Sequence, residues 1–176
     1  MLRMRNPYLP VAWLMVSTVT LWSCTFDDAS QFNNQFIVDG KSYALVSGVT
    51  AQPAAPVEGS TIHVWSVTLD SPGKARKIHR VSFGLYTEGA EMLPEGNYTF
   101  NAEHVHAAQT FHRADATVDY DRERQEGGQM YKELEGGSVT VKLLDEARRD
   151  YAISFDLLLN QRRVKGYYRG ILEVAP

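Results

Sequence analysis

The sequence predicts an all-β protein, a single antiparallel β-sandwich or partly closed β-barrel of about eight strands. Three observations carry that expectation. From residue 35 onward, apolar and polar side chains alternate with a period of two in run after run, which places successive side chains on opposite faces of a strand. The runs are short and are broken by turn-forming groups such as Asp39-Gly40, Ser71-Pro72-Gly73 and Pro94-Glu95-Gly96. No stretch of this region carries an apolar stripe at helical spacing, and Tyr131 to Gly137 (YKELEGG) is too short to form one.

In chain order, FIV (36–38) and KSYALVS (41–47) flank Asp39-Gly40, a pair that supplies the positive φ angles of a two-residue hairpin turn. TIHVWSVTLD (61–70) then sets His63, Trp65, Val67 and Leu69 on one face of a strand. SPGKA (71–75) turns the chain and KIHRVSFGLYTE (77–88) returns it, with Val81, Phe83 and Leu85 aligned. LPEGNYTF (93–100) reads as a turn feeding a short strand. GVTAQPAAPVEGS (48–60) reads as a loop. Residues 102–136 read as a long excursion holding a strand pair, QTFHRA and ATVDYD, and the polar run DRERQEGGQ.

The last forty or so residues form a three-strand antiparallel meander by the same logic. Val139, Val141 and Leu143 share a face, and DEARRD (145–150) turns the chain. Tyr151, Ile153, Phe155, Leu157 and Leu159 make the most apolar alternating strand. After NQRR (160–163), the residues Val164, Tyr168, Leu172 and Val174 point inward, and Lys165, Tyr167, Arg169 and Glu173 point to water. Gly166 and Gly170 fall on the inward face, where a missing side chain admits a bulge or a close neighbour.

The first residues follow another plan. Arg3 and Arg5 make a short basic start, and Asn6 to Cys24 carries no charge. A basic segment followed by an apolar one is the layout of an export signal. The run falls short of the ~20 apolar residues of a membrane-spanning helix, and Pro10 interrupts it. It ends in Leu21-Trp22-Ser23-Cys24, which resembles a bacterial lipobox: a leucine three residues before the cysteine and a small residue directly before it. The resemblance implies cleavage between Ser23 and Cys24 and lipidation of the Cys24 thiol and amine. Several acyl chains on one residue make a lasting membrane anchor, since each buried methylene contributes about 0.8 kcal/mol. A cysteine that merely happens to end a signal segment is the alternative.

The expected organisation is a signal peptide over residues 1–23, a lipidated flexible tether over 24–34 and an antiparallel β domain over 35–176. Cys24 is the only cysteine, so the domain holds no disulfide and depends on its core. Removing residues 1–23 deletes two arginines and no acids, so Lys+Arg falls from 18 to 16 against 21 Asp+Glu, and the net charge moves from −3 to −5. An acidic chain without a basic cluster argues against nucleic-acid binding.

Asp27-Asp28, just behind Cys24, resembles the acidic signal of surface lipoproteins from Bacteroides-type Gram-negative bacteria, although a solvated tether carries such charges too. The segment from Gly136 to Val174 is similar to the closing strands of Bacteroides-type cell-envelope lipoproteins of unknown function. The shared pattern is a Gly-Ser-Val-Thr-Val strand, an aromatic-x-Ile-x-Phe-Asp strand, and a strand with Gly-x-aromatic-x-Gly. This resemblance implies the fold and an outer-membrane location, on the periplasmic face or the cell surface, and no activity.

Chemistry-bearing patterns are sparse. His104 and His106 share one side if EHVHAA is extended, and His112 follows. Two histidines at that spacing ligate zinc or copper only when a third ligand converges; no such partner is fixed by spacing, and a loop with exposed imidazoles is the favoured reading. No metal or other cofactor is expected. Asp119, Asp121 and Glu123 alternate as in a calcium loop, without its central glycine or distal glutamate. No Gly-x-Ser-x-Gly, Ser-x-x-Lys or His-Glu-x-x-His is present. Trp65, Tyr167 and Tyr168 are the candidates for stacking on a sugar, while the parity of Trp65 with Val67 and Leu69 favours core packing. The expected function is therefore a non-enzymatic, lipid-anchored envelope domain that binds a protein or glycan partner or joins an assembly. The alternatives are a lipocalin-like small-ligand carrier, which needs an interior cavity, and a polysaccharide hydrolase, which needs paired carboxylates.

Overall fold

The computed structural model describes residues 33–51, 53, 58–71, 76–89, 91–103 and 105–175. The signal segment, Ser23, Cys24, the tether up to residue 32, the turn residues 72–75 and His104 lie outside the described residues.

Alternation produces strands and nothing else among the described residues. There are eleven: β1 (Gln35–Val38), β2 (Lys41–Ala44), β3 (Ser47–Ala51), β4 (His63–Asp70), β5 (Lys77–Thr87), β6 (Gly96–Phe100), β7 (Thr110–Asp121), β8 (Gln129–Tyr131), β9 (Leu134–Asp145), β10 (Asp150–Leu159) and β11 (Arg162–Val174). One sheet holds them all. Its path runs β10-β9-β6-β7-β5-β4-β3-β11, and β11 pairs back onto β10, so these strands close a ring. A ring of this size has an interior just wide enough for side chains to fill. The inward positions do so with Trp65, Tyr98, Tyr151, Phe36 and Phe111, each under 2 % exposed.

The meander β9-β10-β11 is antiparallel as expected, and its register sets Phe155 opposite Val139 on one side and Gly166 on the other. Tyr151, Ile153, Phe155, Leu157 and Leu159 are all buried. Asp39 (φ 50°) and Gly40 (φ 74°) make the expected tight turn between β1 and β2. This hairpin spans one end of the ring. β1 pairs with β11, while Asp39 accepts a 2.9 Å hydrogen bond from the Tyr131 hydroxyl of β8. The Tyr43 ring of β2 lies 4.7 Å from that of His79 on β5.

Several local expectations need correction. Two junctions are parallel, β6 with β7 and β3 with β11, in an otherwise antiparallel sheet. The loop expected over 48–60 begins as β3, because Gly48 to Thr50 bridge β4 and β11. KSYALVS is divided between β2 and β3, with Leu45 buried between them. The pair QTFHRA and ATVDYD is one strand, β7. Leu85 pairs with Phe111 but Gly84 pairs with Arg113, so His112 is an extra residue in a β-bulge. That bulge switches the buried parity from Phe111 to Ala114, Ala116 and Val118, which makes one strand look like two. Val174, expected to point inward, is 37 % exposed, although it still pairs with Thr50 of β3 at the end of the ladder.

Candidate functional site

The outward face of β4, β5 and β7 makes a concave surface. Its floor is built from small residues: Ser66 of β4 pairs with Gly84 of β5, and the hydroxyls of Thr68 and Ser82 meet at 3.4 Å. A Cβ placed on Gly84 would meet only Val64, at 3.5 Å. β8 and the start of β9 line the far side with Met130, Lys132 and Leu134. The resulting groove has a volume of about 900 Å3 and is open to solvent.

A discontinuity in the wall shapes this groove. Along one edge of β7, β6 pairs at Thr110 and Phe111, and β8 pairs from Ala116 to Val118. Residues 112–115 between them have no ladder partner on that edge among the described residues. Their side chains His112, Arg113 and Asp115 line the groove. Burial raises the Asp115 carboxyl above its usual range, against the pull of Arg80 and Lys132. Arg80 is itself held by Asp70 in a two-point contact of 2.7 and 3.2 Å, and the hydrogen bond raises the guanidinium pKa.

An aromatic cluster closes the upper end. Tyr86 points outward by parity, yet is only 3 % exposed. His112, turned outward by the bulge, stacks on it at 4.8 Å, and its Nε2 lies 2.8 Å from the Tyr86 hydroxyl. His106 stacks on both rings, at 5.0 and 5.5 Å. Burial raises the Tyr86 phenol pKa, with Arg113 opposing, and the imidazole tautomer sets which of the two groups donates.

The other sequence candidates fall elsewhere. Trp65 is 1 % exposed, and its indole N–H donates to the Gly89 carbonyl at 3.0 Å. Tyr168 is 2 % exposed and donates to the Ile171 carbonyl. Both are core residues. Tyr167 is half-buried on the outer face of β11, beside Ser154 of β10. His106 lies in a loop before β7, the alternative that the sequence left open for EHVHAA. Among the described residues, no group of three or more His, Cys, Asp or Glu is arranged to hold a metal. The acids of DYDRE have structural partners: Asp121 accepts from the backbone N–H groups of Glu123 and Arg124 and pairs with Arg76 at 3.0 Å, and Asp119 pairs with Lys77 at 3.5 Å. The Arg124 amide contributes most to holding the Asp121 carboxyl below its usual range.

Sequence reasoning missed Tyr86, Arg113, Asp115 and Lys132. The outward parity of Tyr86 with Arg80, Ser82 and Gly84 was legible in β5; the bulge and the gap in the wall were not.

Hydroxyls, three exposed cations (Arg80, Arg113 and Lys132) and one partly desolvated carboxylate suit the groove to recognition, and Asp115 is the single carboxylate among its lining residues. No helix among the described residues is long and apolar enough to cross a membrane. Comparison with protein-family models, curated proteins and solved structures finds no match to the chain.

Proposed function

We propose that the protein is a non-catalytic binding component of the bacterial envelope, anchored through lipid on Cys24 and recognising its partner in the groove over β4, β5 and β7. The groove is the observation that carries this reading: a polar concavity on the outside of a ring whose inward positions are taken by Trp65, Tyr98, Phe111 and Tyr151. Large side chains in those positions weigh against the small-ligand carrier. A single lining carboxylate weighs against the hydrolase, which needs two.

Site-specific photocrosslinking in cells tests the reading. A photoreactive residue replacing Ser82, in the groove, is expected to give a discrete adduct with a protein or glycan, and the same residue replacing Ser154, on the opposite wall, is not. Absence of an adduct at Ser82, or the same adduct from both positions, would refute it.

A further inference from the structure

The wall opposite the groove has a different character. Around the ring, β10 lies across from β5, with β9, β6 and β7 between them on one side and β11, β3 and β4 on the other. Strand parity turns Lys142 and Arg169 outward, one on each side of the small Ala152, all three in register. Ser154 and Tyr167 make the next row, and Asp156 and Lys165 the one after. Arg163 joins Lys165 in holding Asp156, at 2.6 and 3.4 Å. Around Tyr167 four cations face one carboxylate, while Asp150 and Glu173 lie toward the far end of the same strands, in a chain whose net charge is −3. The tyrosine between them has the apolar body and polar tip that suit a membrane interface.

The route of the N-terminus supplies a second observation. Asn34 is clamped to the edge of β11 beside this face: its side-chain amide donates to the Arg169 carbonyl and accepts from the Arg169 N–H, both at 2.8 Å. The segment that precedes the β domain therefore leaves from beside Arg169. Residues 24–34 span at most about 40 Å when fully extended, so a lipid on Cys24 keeps the attachment point beside Arg169 within that distance of the bilayer.

We propose that the outward face of β9, β10 and β11 rests on an anionic phospholipid headgroup surface. The inference rests on the lipid-anchor reading of Cys24 and extends it to an orientation, because the groove over β5 then faces away from the membrane and is open to partners. Lys142, Arg163, Lys165 and Arg169 supply the attraction, which salt screens, and Tyr167 supplies the interfacial contact.

The test uses the full chain carrying Cys24→Ala, so that no lipid is attached, and sedimentation with vesicles. Vesicles of phosphatidylcholine with about a third phosphatidylglycerol are expected to retain it far better than phosphatidylcholine alone, and half-molar salt to abolish the difference. Lys142→Gln and Arg169→Gln should each weaken partitioning about fivefold, while Arg113→Gln, in the groove, leaves it unchanged; equal melting temperatures show that all three variants fold. Equal retention by both vesicle types, or an equal loss in Arg113→Gln, overturns the proposal. Mass spectrometry of Cys24 in the wild-type chain separates the two readings. A lipidated Cys24 without face-dependent binding refutes the orientation and leaves the anchor. Face-dependent binding with an unmodified Cys24 supports the surface and refutes the anchor.

Discussion

Phe155 packs directly over Gly166. The two are register partners on β10 and β11, both facing into the ring. A Cβ on Gly166 would overlap the Phe155 ring and lie 2.8 Å from the Cβ of Phe36 on β1. Phe155 also meets the ring of Phe83 on β5, from the far side of the barrel, at 5.9 Å. The glycine thus makes room where the two walls and the end hairpin converge.

That packing predicts an order of stabilities. Phe155→Ala should cost about 3–5 kcal/mol, since it removes a ring from the centre of the core. Gly166→Ala should cost about 1–3 kcal/mol by overpacking the same place. Tyr167→Ala, outward and half-buried, should cost much less than Phe155→Ala. Urea unfolding midpoints check the series, and a larger loss for Tyr167→Ala than for Phe155→Ala would reverse the assignment of the inward face.

His79 predicts a pH dependence at the hairpin end. Its Nδ1 accepts the Asp119 N–H at 3.1 Å, in a second β-bulge of β7, and its ring packs on Tyr43. Burial lowers its pKa below 6.5, against the raising effect of Asp119 and with a smaller lowering by Lys77. The neutral form is therefore the folded one. Its contribution to stability is complete above the unfolded pKa and is lost as pH falls through the lowered folded value. His79→Asn keeps an acceptor and removes the titration. Melting temperatures of wild type and His79→Asn between about pH 5 and 8 should converge toward the acid end; a constant difference across that range would contradict the assignment.

The histidines near the groove predict an outcome for metals. The rings of His106 and His112 stack rather than converge on a common point, and a zinc site needs three or four ligands near 2.0–2.3 Å. Chelator should leave the melting temperature unchanged. A rise on adding zinc that disappears in His106→Ala or His104→Ala would establish a site there.

Cys24→Ala predicts the loss of lipidation, because the chain has no other thiol to take its place. Detergent-phase partitioning of mutant and wild type, isolated from the same membranes, reads it directly. Equal partitioning would remove the anchor from the account.

What the sequence determined by itself is what depends on near neighbours. Alternation over ten residues sets which side of β10 is buried, because the strand period is two and only one face can reach the core. Asp39-Gly40 sets the first hairpin through its own φ preferences, and Gly166 marks a close approach by lacking a side chain. Tertiary structure decided the rest. β3 pairs with β11 from the other end of the chain, and neither strand carries a local mark of its partner. The bulge at His112 exists only relative to β5: it made β7 look like two strands, and it brings His112 onto Tyr86. The groove and the opposing cationic wall arise from strands far apart in sequence, because closing a ring selects neighbours by collective packing, which no local pattern records.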